Sequence, residues 1–177
     1  MDASRIIGGN SHMVTLRDIE EKDAQLIYTW KCDPLIKKLA LDYDYSTTLE
    51  EQLHDIQSSL QDPDQDYKII LLDNSLSIGY IRINWMDSNK KKAWLRFGLG
   101  EKRGHGYSRI ALNMYINRLK ELGCFRIEAE VYSNNSPSQR ILESLGFIKE
   151  GIKRKAHFDG TQYIDVYAYG LLIDEKN

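Results

Sequence analysis

Trp94-Leu95-Arg96-Phe97-Gly98-Leu99, followed after a short gap by Arg103-Gly104-His105-Gly106-Tyr107-Ser108, is the stretch that decides the fold. It reads as a strand, a glycine-bearing loop over Gly100–Gly106, and a helix from about Tyr107 to Leu122. That helix is apolar around much of its girth (Ile110, Ala111, Leu112, Tyr115, Leu119), so it is largely buried. A loop with two glycines that opens a helix exposes several backbone N–H groups, and the helix N-terminus adds partial positive charge. Together they make an anion site suited to a pyrophosphate. Glycine matters there because a Cβ would block close approach. The spacing is not that of the P-loop, since no Gly-Lys-Ser/Thr follows. It is not the dinucleotide fingerprint either, because the strands before it form an antiparallel meander and no βαβ unit surrounds it. For two glycines alone, an ordinary turn before a helix is the competing reading.

Upstream, Met13–Leu16 suits a first strand and Ile19–Lys31 has helical spacing, stopped at Asp33-Pro34. Leu35–Leu41 suits a second short helix. Thr47/Thr48 can cap a helix from Leu49 to Leu60, with Glu51 as the capping-box partner of Thr48. The period then changes. Tyr67–Leu72, Leu76–Trp85 and Ala93–Leu99 read as three strands joined by short turns, with Gly79 marking a bulge. Downstream, Gly123 stops the buried helix, Arg126–Tyr132 is a strand, and Ser136 caps a helix with Pro137 at its first position, ending at Gly146. Ile152–Phe158 and Thr161–Leu172 form a hairpin around Asp159-Gly160.

The chain has 177 residues, which fits one domain. Residues 1–12 look unlike the rest, and Gly8–Met13 ends in a Ser-His-Met string common at vector junctions. They read as a vector-derived remnant or a flexible tail, with 13–177 as a single domain. The net charge of −2 argues against a general nucleic-acid or membrane binder, which would carry a basic excess. The apolar runs are too short to span a bilayer. Two cysteines cannot build a disulfide framework, so a cytoplasmic location is expected. Eleven tyrosines are many for this size, and tyrosine can pack, donate protons or line a pocket.

Two motifs sharpen the reading. Arg103, Gly106 and Ser108 resemble the pyrophosphate motif of the GNAT superfamily of acetyl-CoA-dependent N-acetyltransferases: Gln/Arg, two residues, Gly, one residue, then Gly or Ala. Ser108 departs from Gly/Ala but is small. Asn135-Ser136-Pro137-Ser138-Gln139-Arg140-Ile141-Leu142-Glu143-Ser144-Leu145-Gly146-Phe147 is similar to the superfamily's second signature. The resemblance covers roughly Met13 to Leu172, in the expected order of elements. Within the superfamily, Trp30-Lys31-Cys32-Asp33-Pro34-Leu35-Ile36 is similar to a segment of ribosomal-protein N-terminal and amino-sugar-nucleotide acetyltransferases. Glu130–Asn135 and Asp159–Val166 lean toward the latter.

The resemblance implies a mixed α/β fold with a central, mostly antiparallel sheet of six to seven strands. It carries a splay and is flanked by about four helices. It implies acetyl-CoA as co-substrate, no metal, and direct attack by a primary amine in a ternary complex. The acceptor would be an amino sugar nucleotide or a protein N-terminus, and the protein a monomer or homodimer. Backbone groups of Phe97, Gly98 and Leu99 would pair with the pantetheine. N–H groups of Gly104, His105, Gly106, Tyr107 and Ser108 would hold the pyrophosphate, with Arg103 nearby. Asn135 would bond the pantetheine or else serve as a turn asparagine. An alkylammonium has a pKa near ~10, so a base is needed. Glu130 is the first candidate, with Glu128 competing on the same face and Asp165 and His157 in reserve. Many members place a tyrosine five residues before the Phe of Gly-Phe. Here that residue is Leu142, which cannot donate a proton. Ser138, Tyr132, Tyr163 and Tyr167 are the substitutes, alongside water or the product ammonium. Asp42, Tyr43, Asp44 and Tyr45 lie where the family builds a wall of the acceptor site, or else form an exposed acidic loop. A non-catalytic acyl-CoA-binding module is the alternative that Leu142 keeps open.

Overall fold

The period-two pattern of the middle of the chain builds one sheet. A computed structural model describes residues 5–7, 12–39 and 48–173. In chain order the elements are β1 (Arg5–Ile7), β2 (His12–Asp18), α1 (Ala24–Cys32), α2 (Pro34–Leu39), α3 (Leu49–Gln61), β3 (Gln65–Leu72), β4 (Leu76–Trp85), β5 (Lys92–Leu99), α4 (Tyr107–Glu121), β6 (Arg126–Tyr132), α5 (Ser136–Ser144), β7 (Ile148–Phe158) and β8 (Tyr163–Leu172). The sheet runs β1-β2-β3-β4-β5-β6-β8-β7. Strands β2–β8 are the seven of the expected sheet, and the short β1 pairs with β2 as an eighth. Every neighbouring pair is antiparallel except β5 with β6.

Alternating side chains feed two cores. On one face Ile81, Ile83, Leu95, Ile127 and Ala129 pack against Ala111, Leu112 and Tyr115 of α4 and Leu142 of α5. On the other, Tyr67, Ile69 and Tyr80 pack against Ile27 and Trp30 of α1 and Ile56 of α3. Trp30 belongs to this second core, with 5 % of the residue exposed.

Several boundaries differ from expectation for local reasons. Helix α1 begins at Ala24 and not at Ile19, because the Ile19 N–H still donates to Tyr67 O in the neighbouring β3. A 3₁₀ turn, Glu21–Asp23, then intervenes. The buried Asp23 carboxylate accepts two 2.7 Å bonds from Arg17 and one from the Glu20 N–H. The α5 cap is Asn135, one residue before the expected Ser136: its side chain accepts from the Ser138 N–H. Strand β8 starts at Tyr163 and not at Thr161, because Asp159 Oδ1 accepts the N–H groups of both Thr161 and Gln162. Strand β7 starts earlier than Ile152, at Ile148, and carries two bulges. The capping box of α3 forms as read, Thr48 with Glu51. The bulge at Gly79 also forms. Ile78 is the extra residue between the pairs Ile70–Gly79 and Leu71–Ser77.

The feature that positions the site is the contact between β5 and β6. They pair only at Lys92–Arg126, Ala93–Ile127 and Trp94–Glu128. Beyond Trp94, β5 stays with β4 through Leu99, and β6 stays with β8 through Tyr132. The two strands part, and a cleft opens between Leu95–Leu99 and Ala129–Tyr132. Among the described residues, no helix is long and apolar enough to cross a membrane.

Candidate active site

The loop after β5 is shaped by its backbone angles. Gly104 and Gly106 sit at φ of +83° and +80°, in the left-handed region where a Cβ is costly. A Cβ on either would meet no protein atom within 4 Å, so the angle, and not crowding by the chain, selects glycine. Gly106 is the N-cap of α4 and brings no side-chain cap. The first N–H groups of the helix, at Tyr107 and Ser108, therefore face outward from the helix end. His105 stacks on Tyr107, with centroids 5.7 Å apart, and Ser108 is buried.

Arg103 is fixed by the chain itself. Its Nε donates to Leu99 O at 2.9 Å, and its Nη2 donates to Gly100 O at 3.2 Å and to Asp33 Oδ2 at 3.1 Å. This ties the loop to the junction of α1 and α2. The Leu35 N–H, and after it Arg103, hold the Asp33 carboxyl below the usual carboxylate range.

Along β5 the alternation of hydrogen bonding decides which backbone groups face the cleft. The Gly100 N–H donates to Ile78 O of β4. By antiparallel alternation Gly98 also faces β4, and Phe97 and Leu99 turn their N–H and C=O groups toward the parted β6. A cavity of about 380 Å³ lies beside them, walled by α2, the loop and α5. Phe97, Gly98, Leu99, Arg103, Gly104 and Ser108 line one side of it. Asn135, Ser138 and Arg140 line the other. A second cavity of about 50 Å³ continues into the cleft, where Leu95, Arg96, Ala129, Glu130 and Val131 meet.

Asn135 joins the elements around the cavities. It caps α5, and its Nδ2 donates to Leu39 O at the end of α2, 3.3 Å away. The turn role read from the sequence is thus present, and the same side chain lines both cavities. Glu130 lies two residues past the last β5–β6 pair, in the wall of the smaller cavity, and is ion-paired to Lys153 of β7. Glu128, still opposite Trp94, accepts from Arg126 Nε at 2.8 Å, and Arg126 also holds Glu150. Glu128 lines neither cavity.

The proton-donor candidates and the reserve bases separate clearly. Leu142 is fully buried in the core. Tyr132 pairs with His157, ring on ring at 4.1 Å with its hydroxyl 3.1 Å from Nδ1. Tyr163 is exposed, Tyr167 lies under Lys149, and Asp165 accepts the Lys155 N–H. None of these lines either cavity, whereas Ser138 lines both. Asp42, Tyr43 and Tyr45, together with Asp44, lie outside the described residues. Sequence reasoning missed Leu39, Tyr80, Arg96 and Arg140 in the walls. Arg140 could have been found, one turn into the second motif beside an anion site. Tyr80 could not, because its place depends on cross-strand register. Among the described residues there is no group of three or more His, Cys, Asp or Glu side chains that could hold a metal.

Known proteins share this architecture. The "uncharacterized N-acetyltransferase p20" of Bacillus licheniformis is 30 % identical over 166 residues, covering 90 % of this chain and 92 % of its own. The solved structure of a Vibrio cholerae spermidine N-acetyltransferase with CoA and spermine superposes with a TM-score of 0.81 at 19 % identity. The match covers 90 % of this chain and 95 % of that one. RimL, a ribosomal-protein alpha-N-acetyltransferase in complex with coenzyme A, superposes with a TM-score of 0.80 at 20 % identity, over 92 % and 96 %. At those identities the two structures speak for the fold. The model of the acetyltransferase (GNAT) domain matches residues 13–148, most of the chain. The parted strands, the left-handed glycine loop and that match agree: the chain belongs to the GNAT acetyltransferase family and is an N-acetyltransferase.

Proposed function

We propose that the chain transfers the acetyl group of acetyl-CoA to a primary amine by direct attack in a ternary complex. The observation that carries this reading is the pair of cavities running from the glycine loop into the β5–β6 cleft and ending at Glu130. The pyrophosphate would sit on the N–H groups of Gly104–Ser108, with Arg103 and Arg140 as cations beside it. The pantetheine would pair with the cleft-facing backbone of Phe97 and Leu99, as an added strand does. The Leu99 N–H would meet the oxyanion as it develops.

At the far end the Glu130 carboxylate draws in the acceptor ammonium, exchanging Lys153 for it, and takes its proton directly or through a water. The free amine attacks the thioester carbon. The new C–N bond forms, the C–S bond breaks, and the electron pair leaves on sulfur. The thiolate takes its proton from the attacking nitrogen, through the Ser138 hydroxyl or through water. Leu142 has no part in it. The acceptor is an amino sugar nucleotide or a protein N-terminus, and the names of the structural neighbours add polyamines. The free Cys32 and Cys124 agree with a cytoplasmic protein.

The test is amine-dependent CoA release across amino sugar nucleotides, peptides with free N-termini and polyamines. At least one class should release CoA. Glu130→Gln should lower kcat about 10²- to 10⁴-fold with little change in acetyl-CoA affinity. An unchanged rate removes Glu130 as base. CoA binding with no turnover on any amine favours a non-catalytic acyl-CoA-binding module.

A further inference from the structure

The two cavities share five wall residues, Leu39, Tyr80, Phe97, Asn135 and Ser138, which form a neck between them. Beyond the neck the smaller cavity measures about 50 Å³, room for only a few waters at about 10–15 Å³ each on that measure. Leu95, Ala129 and Val131, all buried, give it apolar walls. A group entering this space passes Tyr80 in the neck before it meets those walls.

Tyr80 sits opposite Gly98 across the β4–β5 pair. Its ring takes the space that a side chain at position 98 would fill: a Cβ on Gly98 would lie 2.7 Å from the ring's Cε1. The ring cannot step back cheaply. It is 6 % exposed and packed edge-on to Tyr67 at 5.8 Å. Beside it, Gly79 brings β4 so close to β5 that a Cβ there would lie 2.4 Å from Gly98 O.

We propose that Tyr80, seated by Gly98, is the residue that limits the transferred acyl chain to acetyl. This rests on reading the two cavities as the acyl-CoA channel. A methylene too many in a tight apolar site costs about 10- to 200-fold, so butyryl-CoA, two methylenes longer, is strongly disfavoured.

The test is calorimetric titration of CoA, acetyl-CoA and butyryl-CoA into the full chain and into Tyr80→Leu, Tyr80→Phe and Gly98→Ala. The unaltered protein should bind acetyl-CoA at least about 100-fold more tightly than butyryl-CoA. Tyr80→Leu should shrink that ratio at least tenfold, and Tyr80→Phe, which keeps the ring, should retain it. Gly98→Ala, which drives the ring into the neck, should weaken acetyl-CoA relative to CoA, so the proposal stays testable if Tyr80→Leu does not fold. Equal affinity for the two acyl-CoAs, an unchanged ratio in Tyr80→Leu, or an unchanged acetyl-CoA to CoA ratio in Gly98→Ala overturns the proposal and leaves the channel intact. Failure of CoA itself to bind overturns both.

Discussion

Gly100→Ala should be among the most damaging single-methyl additions to this chain. A Cβ at that position would lie 2.2 Å from Trp30 Cδ2 and 2.3 Å from Cγ and Cε2, over the five-membered part of the indole. Neither side can yield easily. The Gly100 N–H is bonded to Ile78 O at 2.8 Å, and its carbonyl accepts from Arg103. Trp30 is buried against Ile27 and Ile56. Overpacking a well-packed core costs about 1–3 kcal/mol, and a clash with a rigid ring on an anchored backbone belongs at the upper end, about 3 kcal/mol. In a chain of this length that lowers Tm by about 6–12 °C. Urea unfolding of the single variants and of the double variant Gly100→Ala/Trp30→Leu measures the cause directly. With the indole gone, the added methyl has room, so its cost should drop by about 2 kcal/mol, a coupling expected of side chains in contact. A Gly100→Ala cost below about 0.5 kcal/mol, or strictly additive costs, would refute the argument.

Asp23→Asn should destabilise the fold by about 3 kcal/mol, since it strips a buried partner from Arg17. Burial pushes the Asp23 carboxyl up, but the bonds from Arg17 and the Glu20 N–H outweigh it and hold the group below its ordinary range. Its contribution is therefore fully present above the unfolded value near ~3.9 and is lost as pH falls through the lower folded value. Unfolding curves between neutral pH and acid should show that loss in the unaltered chain and a flatter profile in Asp23→Asn. Asn135→Ala should cost about 1 kcal/mol through the lost α5 cap and also weaken acetyl-CoA binding. A stability loss with unchanged cofactor affinity, measured by calorimetry, would confine Asn135 to capping.

The elements were legible in the sequence wherever a local signal made them. The Thr48–Glu51 box, the Gly123 stop and the bulge at Gly79 each depend on a few adjacent residues. The helix caps were less so, because Asn135 and Ser136 are both able caps and only backbone geometry chooses. The glycine loop and the Phe97–Leu99 strand were legible because the role proposed for them rests on the backbone. What stayed hidden is set by register between distant strands. The last β5–β6 pair falls at Trp94–Glu128, which separates Glu130 from Glu128. The pairing of Tyr80 with Gly98 puts a tyrosine in the site from a strand read only as bulk. The partner of Glu130, Lys153, lies two strands away across β8.

The three hydrogen bonds that hold Arg103 have a consequence for affinity. A long, flexible cation that closes on an anion normally gives up side-chain entropy of about 1.5–2 kcal/mol as it binds. Here Leu99, Gly100 and Asp33 impose that loss when the chain folds. If the pyrophosphate binds as proposed, it finds the guanidinium already placed, and association is opposed chiefly by desolvation and by the anion's own loss of freedom.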